Sequence, residues 1–180
     1  MAKDRSAAAL LIAAAALAVS VGGIALGAAA LRQLRQETRI DLSMSLQRQF
    51  DSDYKQDRAD CARAFLYSGQ TGKKKKQKGL SQAPYGEIMD FFDSLGYLVQ
   101  RGAVDEEVVK YYLAYELDGY FEATQGLMRQ EQRKDPRRFK NAFALYQRWH
   151  QEGPRQDLNA FFEDELDFAE PPPPDEGPRT

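Results

Sequence analysis

The 180 residues suit one folded domain with an appendage. With 25 Lys and Arg against 27 Asp and Glu, near-neutrality excludes a strongly basic nucleic-acid binder and a wholly acidic disordered chain. One Cys and one His exclude an internal disulfide framework and a zinc-finger-type cluster.

The average hides an uneven layout. Residues 1–80 hold 14 Lys/Arg and 7 Asp/Glu, net +7, whereas residues 81–180 hold 11 and 20, net −9. All 20 aromatic side chains lie between Phe50 and Phe168.

After a short tail over residues 1–5, Ser6 to Leu31 runs for 26 residues without a charge, between Arg5 and Arg32. A bilayer-spanning helix needs about 20 residues. Twelve of the 26 are Ala, and nine Leu, Ile and Val supply the apolar drive. The segment 6–31 is therefore expected to be a transmembrane helix. A cleaved signal peptide is the rival, since Lys3 and Arg5 precede the run and Ala28-Ala29-Ala30 offers a small-residue cleavage site. The run exceeds the usual 7–15 apolar residues of a signal, and Arg32, Arg35 and Arg39 follow at once, so the anchor is preferred. The flanking Arg32, Arg35, Arg39 and Arg48 outweigh Lys3 and Arg5, which puts the body in the cytoplasm. Gly23 and Gly27 form a GxxxG pair that lets two helices approach closely, a candidate homodimer contact.

Arg32 to Tyr67 contains no Pro or Gly, and Leu42, Leu46, Phe50 and Tyr54 recur every four residues. This predicts a stalk helix over 32–67, with Cys61, Ala62, Phe65 and Leu66 continuing the stripe after a rotation. Residues 68–84 read as a loop carrying Lys73, Lys74, Lys75, Lys76 and Lys78. Residues 85–168 read as a helical bundle packing with the stalk. One helix carries Ile88, Phe92, Leu95 and Val99 and ends at a left-handed Gly102. The next is capped by Asp105 and runs to about Arg133. Asp135-Pro136 is expected to cap a third, with Phe139, Phe143, Tyr146 and Trp149 along it. A short last helix holds Leu158, Phe161, Phe162 and Leu166. Residues 169–180, with Pro171 to Pro174, read as a disordered acidic tail. The expected class is all-α.

Chemistry is sparse. Ser68-Gly69-Gln70-Thr71-Gly72-Lys73 has two residues between its glycines where a phosphate loop needs four. His150, the only imidazole, suits a helix end. Asp53, Asp57 and Asp60 share a helical face, which fits an ion-paired surface better than a metal site. No catalytic, cofactor-binding or metal-ligating residue is assigned. Arg129, Arg133, Lys134, Arg137 and Arg138, with the lysines of 73–78, form a candidate patch for an anionic partner; the acidic run Glu163-Asp164-Glu165 and Asp167 is the alternative counterpart for the arginines. Tyr111, Tyr112, Tyr115 and Tyr120 read as core tyrosines with polar tips at the boundary.

Asp90-Phe91-Phe92-Asp93-Ser94-Leu95-Gly96, then Leu98-Val99-Gln100-Arg101-Gly102-Ala103-Val104-Asp105-Glu106-Glu107, the Tyr-rich helix and Asp135-Pro136 with Phe143, Leu145 and Tyr146 resemble the bacterial domain-of-unknown-function 4760 family. The likeness covers roughly residues 32–150, and the membrane segment upstream fits it. It implies fold and location and brings no activity or cofactor. The expectation is a single-pass protein of the bacterial inner (plasma) membrane serving interaction, with the bilayer and a homodimer or another membrane protein as partners and no nucleic acid. The alternatives are a secreted or periplasmic helical protein after signal cleavage, and an unrecognised enzyme or ligand sensor.

Overall fold

The computed structural model describes the backbone of residues 2–67, 85–150 and 157–169, with side chains from residue 26 onward. All regular structure in these residues is helical: α1 Ala2–Asp53, α2 Lys55–Leu66, α3 Tyr85–Gln100, α4 Glu106–Lys134, α5 Lys140–Trp149 and α6 Leu158–Ala169. The chain divides into two units, Met1–Asp41 and Leu42–Thr180.

The first unit is the N-terminal part of α1. From Leu26 to Arg39 every side chain is exposed, with Leu26, Leu31 and Leu34 between 59% and 74% accessible. Local bonds along the helix occupy its polar groups: Gln33 donates to Glu37 at 3.0 Å, and the Thr38 hydroxyl donates to the Leu34 carbonyl at 2.8 Å. Among the described residues no helix is long and apolar enough to cross a membrane. The span expected over 6–31 falls mostly on side chains outside the described residues, as does the lysine loop.

The second unit holds the core. Phe50, near the end of α1, is fully buried against Phe91 and Phe92 of α3, with ring centroids 4.9 and 5.4 Å away. The continuous stalk helix expected over 32–67 is two helices. It breaks at Tyr54 (φ −93°, ψ 6°), with neither Pro nor Gly present. The break accounts for the rotation seen in the apolar pattern: Phe50 and Tyr54 face α3, whereas Phe65 of α2 stacks on Phe162 of α6 at 4.4 Å. At the start of α4, the Asp105 side chain accepts from the Val108 amide at 3.2 Å, while its own amide donates to the Ser43 hydroxyl at 2.9 Å.

Gly102 ends α3 with φ 62°; the amides of Ala103 and Gly102 bond to the carbonyls of Leu98 and Val99, a Schellman closure. The α5 cap differs from the sequence expectation. Asp135 accepts from the Arg137 amide at 3.0 Å in a local turn, and α5 starts only at Lys140 after Phe139 at φ 54°. The free amides of its first turn are satisfied from another helix: Asp93 of α3 accepts from Asn141 N (2.8 Å) and Ala142 N (3.0 Å). One turn later, Gly96 permits the close approach. A Cβ there would sit 2.4 Å from the Asn141 carbonyl oxygen.

This junction makes a prediction. Gly96→Ala should cost about 1–3 kcal/mol, because backbone must move. Gly126→Ala, where a Cβ meets nothing within 4 Å, should instead stabilise by about 0.5–1 kcal/mol. Urea denaturation of the two variants checks the contrast, and equal effects would deny the close approach.

Candidate functional site

The most unusual chemistry lies inside the second unit. Arg58 is 3% exposed and Glu165 is 4% exposed. A charge so buried needs a partner with good geometry. Arg58 Nε and Nη2 each donate to one oxygen of Glu165 at 2.7 Å, and Nη1 donates to Asp51 at 3.1 Å. The guanidinium also lies over the rings of Phe168 (4.2 Å) and Phe50 (4.8 Å). The Tyr120 hydroxyl donates to Glu165 as well. Burial disfavours the charged guanidinium, but Glu165 outweighs it and raises the Arg58 pKa. Burial and then Glu165 push the Tyr120 phenol well above its usual value.

Glu116 stands one turn before Tyr120 on α4. Burial pushes its carboxyl from 4.5 up to about 7, with Glu165 and Asp51 adding to the rise and Arg58 opposing it. Its Oε2 atom is buried and makes no hydrogen bond among the described residues. Glu116 therefore holds a proton into the neutral range. The sequence pointed to a core place for Tyr120 and to an acidic run containing Glu165, but not to this network or its partners.

The remaining candidates separate. Cys61 is buried, and burial raises its thiol pKa, so it stays a thiol rather than a nucleophile. His150 Nδ1 lies 3.4 Å from Asp118, and its ring stacks on Tyr146 at 4.6 Å. Asp53 ends α1 whereas Asp57 and Asp60 are on α2, where Asp60 pairs with Arg63 at 2.6 Å. Among the described residues no group of three or more His, Cys, Asp or Glu side chains is placed to hold a metal ion. A half-open cleft of about 220 Å³ runs between Leu46, Gln49 and Tyr54 on one side and Asp90, Phe91 and Leu95 on the other.

Two surfaces stand out. Tyr111, Tyr112 and Tyr115 are 83%, 41% and 53% exposed, and only Tyr120 of the four tyrosines is core. Tyr111 and Tyr112 meet edge to face at 4.9 Å, and Tyr115 meets Phe161 at 5.5 Å. The second surface is the basic end of α4. Lys134 pairs with Glu131 (2.7 Å), Arg137 with Asp135 (3.3 Å) and Arg138 with Asp90 (3.5 Å). Arg129 and Arg133 are exposed, and none of these cations meets the acidic run of α6. Of the proposed dimer pair, a Cβ on Gly27 would meet nothing within 4 Å, while the surroundings of Gly23 and the lysines Lys73 to Lys78 lie outside the described residues.

A family described as a domain of unknown function, DUF4760, matches residues 6–149. The chain belongs to that family. The DUF4760 match takes in the uncharged run and α1 to α5, so it reaches further toward the N-terminus than the resemblance over 32–150. Helix α6 lies beyond it, and with it Glu165. Arg58, Glu116 and Tyr120 lie inside. No curated protein and no solved structure matches the chain.

Proposed function

We propose that this DUF4760 protein is a single-pass component of the bacterial inner (plasma) membrane, with a cytoplasmic helical body that serves interaction rather than catalysis. The observation that carries the interaction reading is the exposed tyrosine face of α4. Tyrosine gives large contact area at small entropic cost, and aromatic side chains are what binding surfaces enrich. The address rests on the sequence: 26 uncharged residues with basic flanks. Within the bilayer, Gly23 and Gly27 are the proposed homodimer contact. The basic residues Lys73, Lys74, Lys75, Lys76, Lys78, Arg129, Arg133, Lys134, Arg137 and Arg138 are the proposed patch for an anionic partner, and no nucleic acid is involved.

Intact-mass measurement of membrane-extracted protein should find the N-terminus uncleaved. A mature chain beginning at Leu31 in the soluble fraction would instead support the exported alternative, which Ala28-Ala29-Ala30 favours. For the interaction reading, Tyr111→Ser should leave the melting temperature nearly unchanged, since surface substitutions cost within about 0.5 kcal/mol. It should remove a crosslinked species formed by the parent protein in membranes. An unchanged crosslinking pattern would count against the tyrosine face.

A further inference from the structure

We propose that a second copy of this chain docks the basic end of its α4 onto the acidic outer face of α6. The contact is separate from both the tyrosine face and the Gly23–Gly27 pair, and needs neither.

The acidic face comes first. Glu165 points inward to Arg58, but Glu163, Asp164 and Asp167 are exposed and form no ion pair among the described residues. They run from the middle of α6 into its last turn, which contains no basic residue. Asp167, in that last turn, faces the negative end of the helix dipole, so a cation brought to it from elsewhere stabilises the helix. Of the cations on α2, which packs on α6, Arg58 is committed to Glu165, Arg63 pairs with Asp60 at 2.6 Å, and the Lys55 ammonium sits 6.0 Å from the Phe168 ring.

The complementary surface is at the end of α4. Arg129 and Arg133 are exposed one turn apart, with no acid in salt-bridge range among the described residues. Glu163 and Asp167 have the same four-residue spacing, about 6 Å along a helix. Laid antiparallel, the two helices place Arg129 against Asp167 and Arg133 against Glu163. Phe168, 46% exposed beside Asp164 and Asp167, adds an apolar edge. The two faces differ, so the contact is heterologous: a pair of copies keeps one free face of each kind, and copies add head to tail into a ring or a row.

Full-length protein in detergent tests this by sedimentation, in a parent that carries Gly23→Ile, Gly27→Ile and Tyr111→Ser and so lacks the other two proposed contacts. Raising salt from about 0.01 M to about 1 M shortens the screening length from about 30 to about 3 Å. Association should weaken at least roughly tenfold across that range. Arg129→Glu with Arg133→Glu should abolish it, as should Glu163→Lys with Asp167→Lys. Mixing the two variants should restore it, because each then offers the face that the other lacks. A circular-dichroism melt checks folding. Should a charge-reversed variant melt early, the neutral Arg129→Gln with Arg133→Gln replaces it and should associate less than the parent. Parent-like association of the arginine variants, or a mixture that stays monomeric, overturns the proposal. Two other occupants give different results. Replacing the lysines between Lys73 and Lys78 by serine should leave association intact, and its loss there with the arginine variants unaffected would mean that the acidic face meets those lysines instead. If the arginine variants lose binding to phosphatidylserine vesicles and still self-associate, the basic end serves a lipid surface and the proposal fails.

Discussion

Arg58→Met is expected to destabilise the body by about 3–5 kcal/mol, the largest single effect among the substitutions considered, because it strands the Glu165 carboxylate in the core. Glu165→Met should cost a similar amount by stranding Arg58, though Asp51 at 3.1 Å softens that loss. The double replacement should recover much of it. Phe50 and Phe168 already lie against the guanidinium, so two thioether side chains have apolar neighbours to pack against. A double-mutant cycle in urea measures the coupling. Purely additive losses would show that the two residues do not stabilise each other.

The second large effect is on pH. Glu116 titrates at about 7 in the folded protein against an ordinary 4.5. Between these values the folded state binds more protons than the unfolded chain, so stability falls as pH rises. The full benefit is present below pH 4.5, and it is gone above about pH 7. The span corresponds to about 3 kcal/mol. Glu116→Gln should flatten this slope and leave the variant more stable than the parent at alkaline pH. Asp57, Asp90 and Asp118 are also raised, chiefly by burial, so some slope of the same sign should remain. A variant that loses stability in parallel with the parent across the window would show that another group holds the proton.

Much of the helical order was legible in the chain. The apolar spacing of Ile88, Phe92, Leu95 and Val99, the glycine at 102 and the cap at Asp105 are local signals, and local physics decides them. The buried network was not read, although half of it left a trace. Glu165 stands four residues after Phe161 and one before Leu166, on the apolar face of α6. Arg58 lies among Ala59, Cys61 and Ala62. Either charge on such a face signals a buried partner, but their separation of 107 residues leaves the pairing unreadable. The α5 cap failed for the same reason. Asp135-Pro136 is a sound local start signal, yet tertiary packing gave the task to Asp93, 48 residues upstream of Asn141. The tyrosines misled because helical spacing alone cannot tell a covered face from a bare one.

The pairing of Arg58 with Glu165 also sets a timetable for synthesis. Helix α2 leaves the ribosome long before α6, its main packing partner, has been made. At about 5–20 residues per second, the 107 intervening residues take roughly 5–20 s. For that interval Phe65 lacks the Phe162 ring that covers it and Arg58 lacks its principal counter-ion, so the nascent body cannot close. Helix α6 closes the core, and a chain cut short before residue 158 has its apolar seam open.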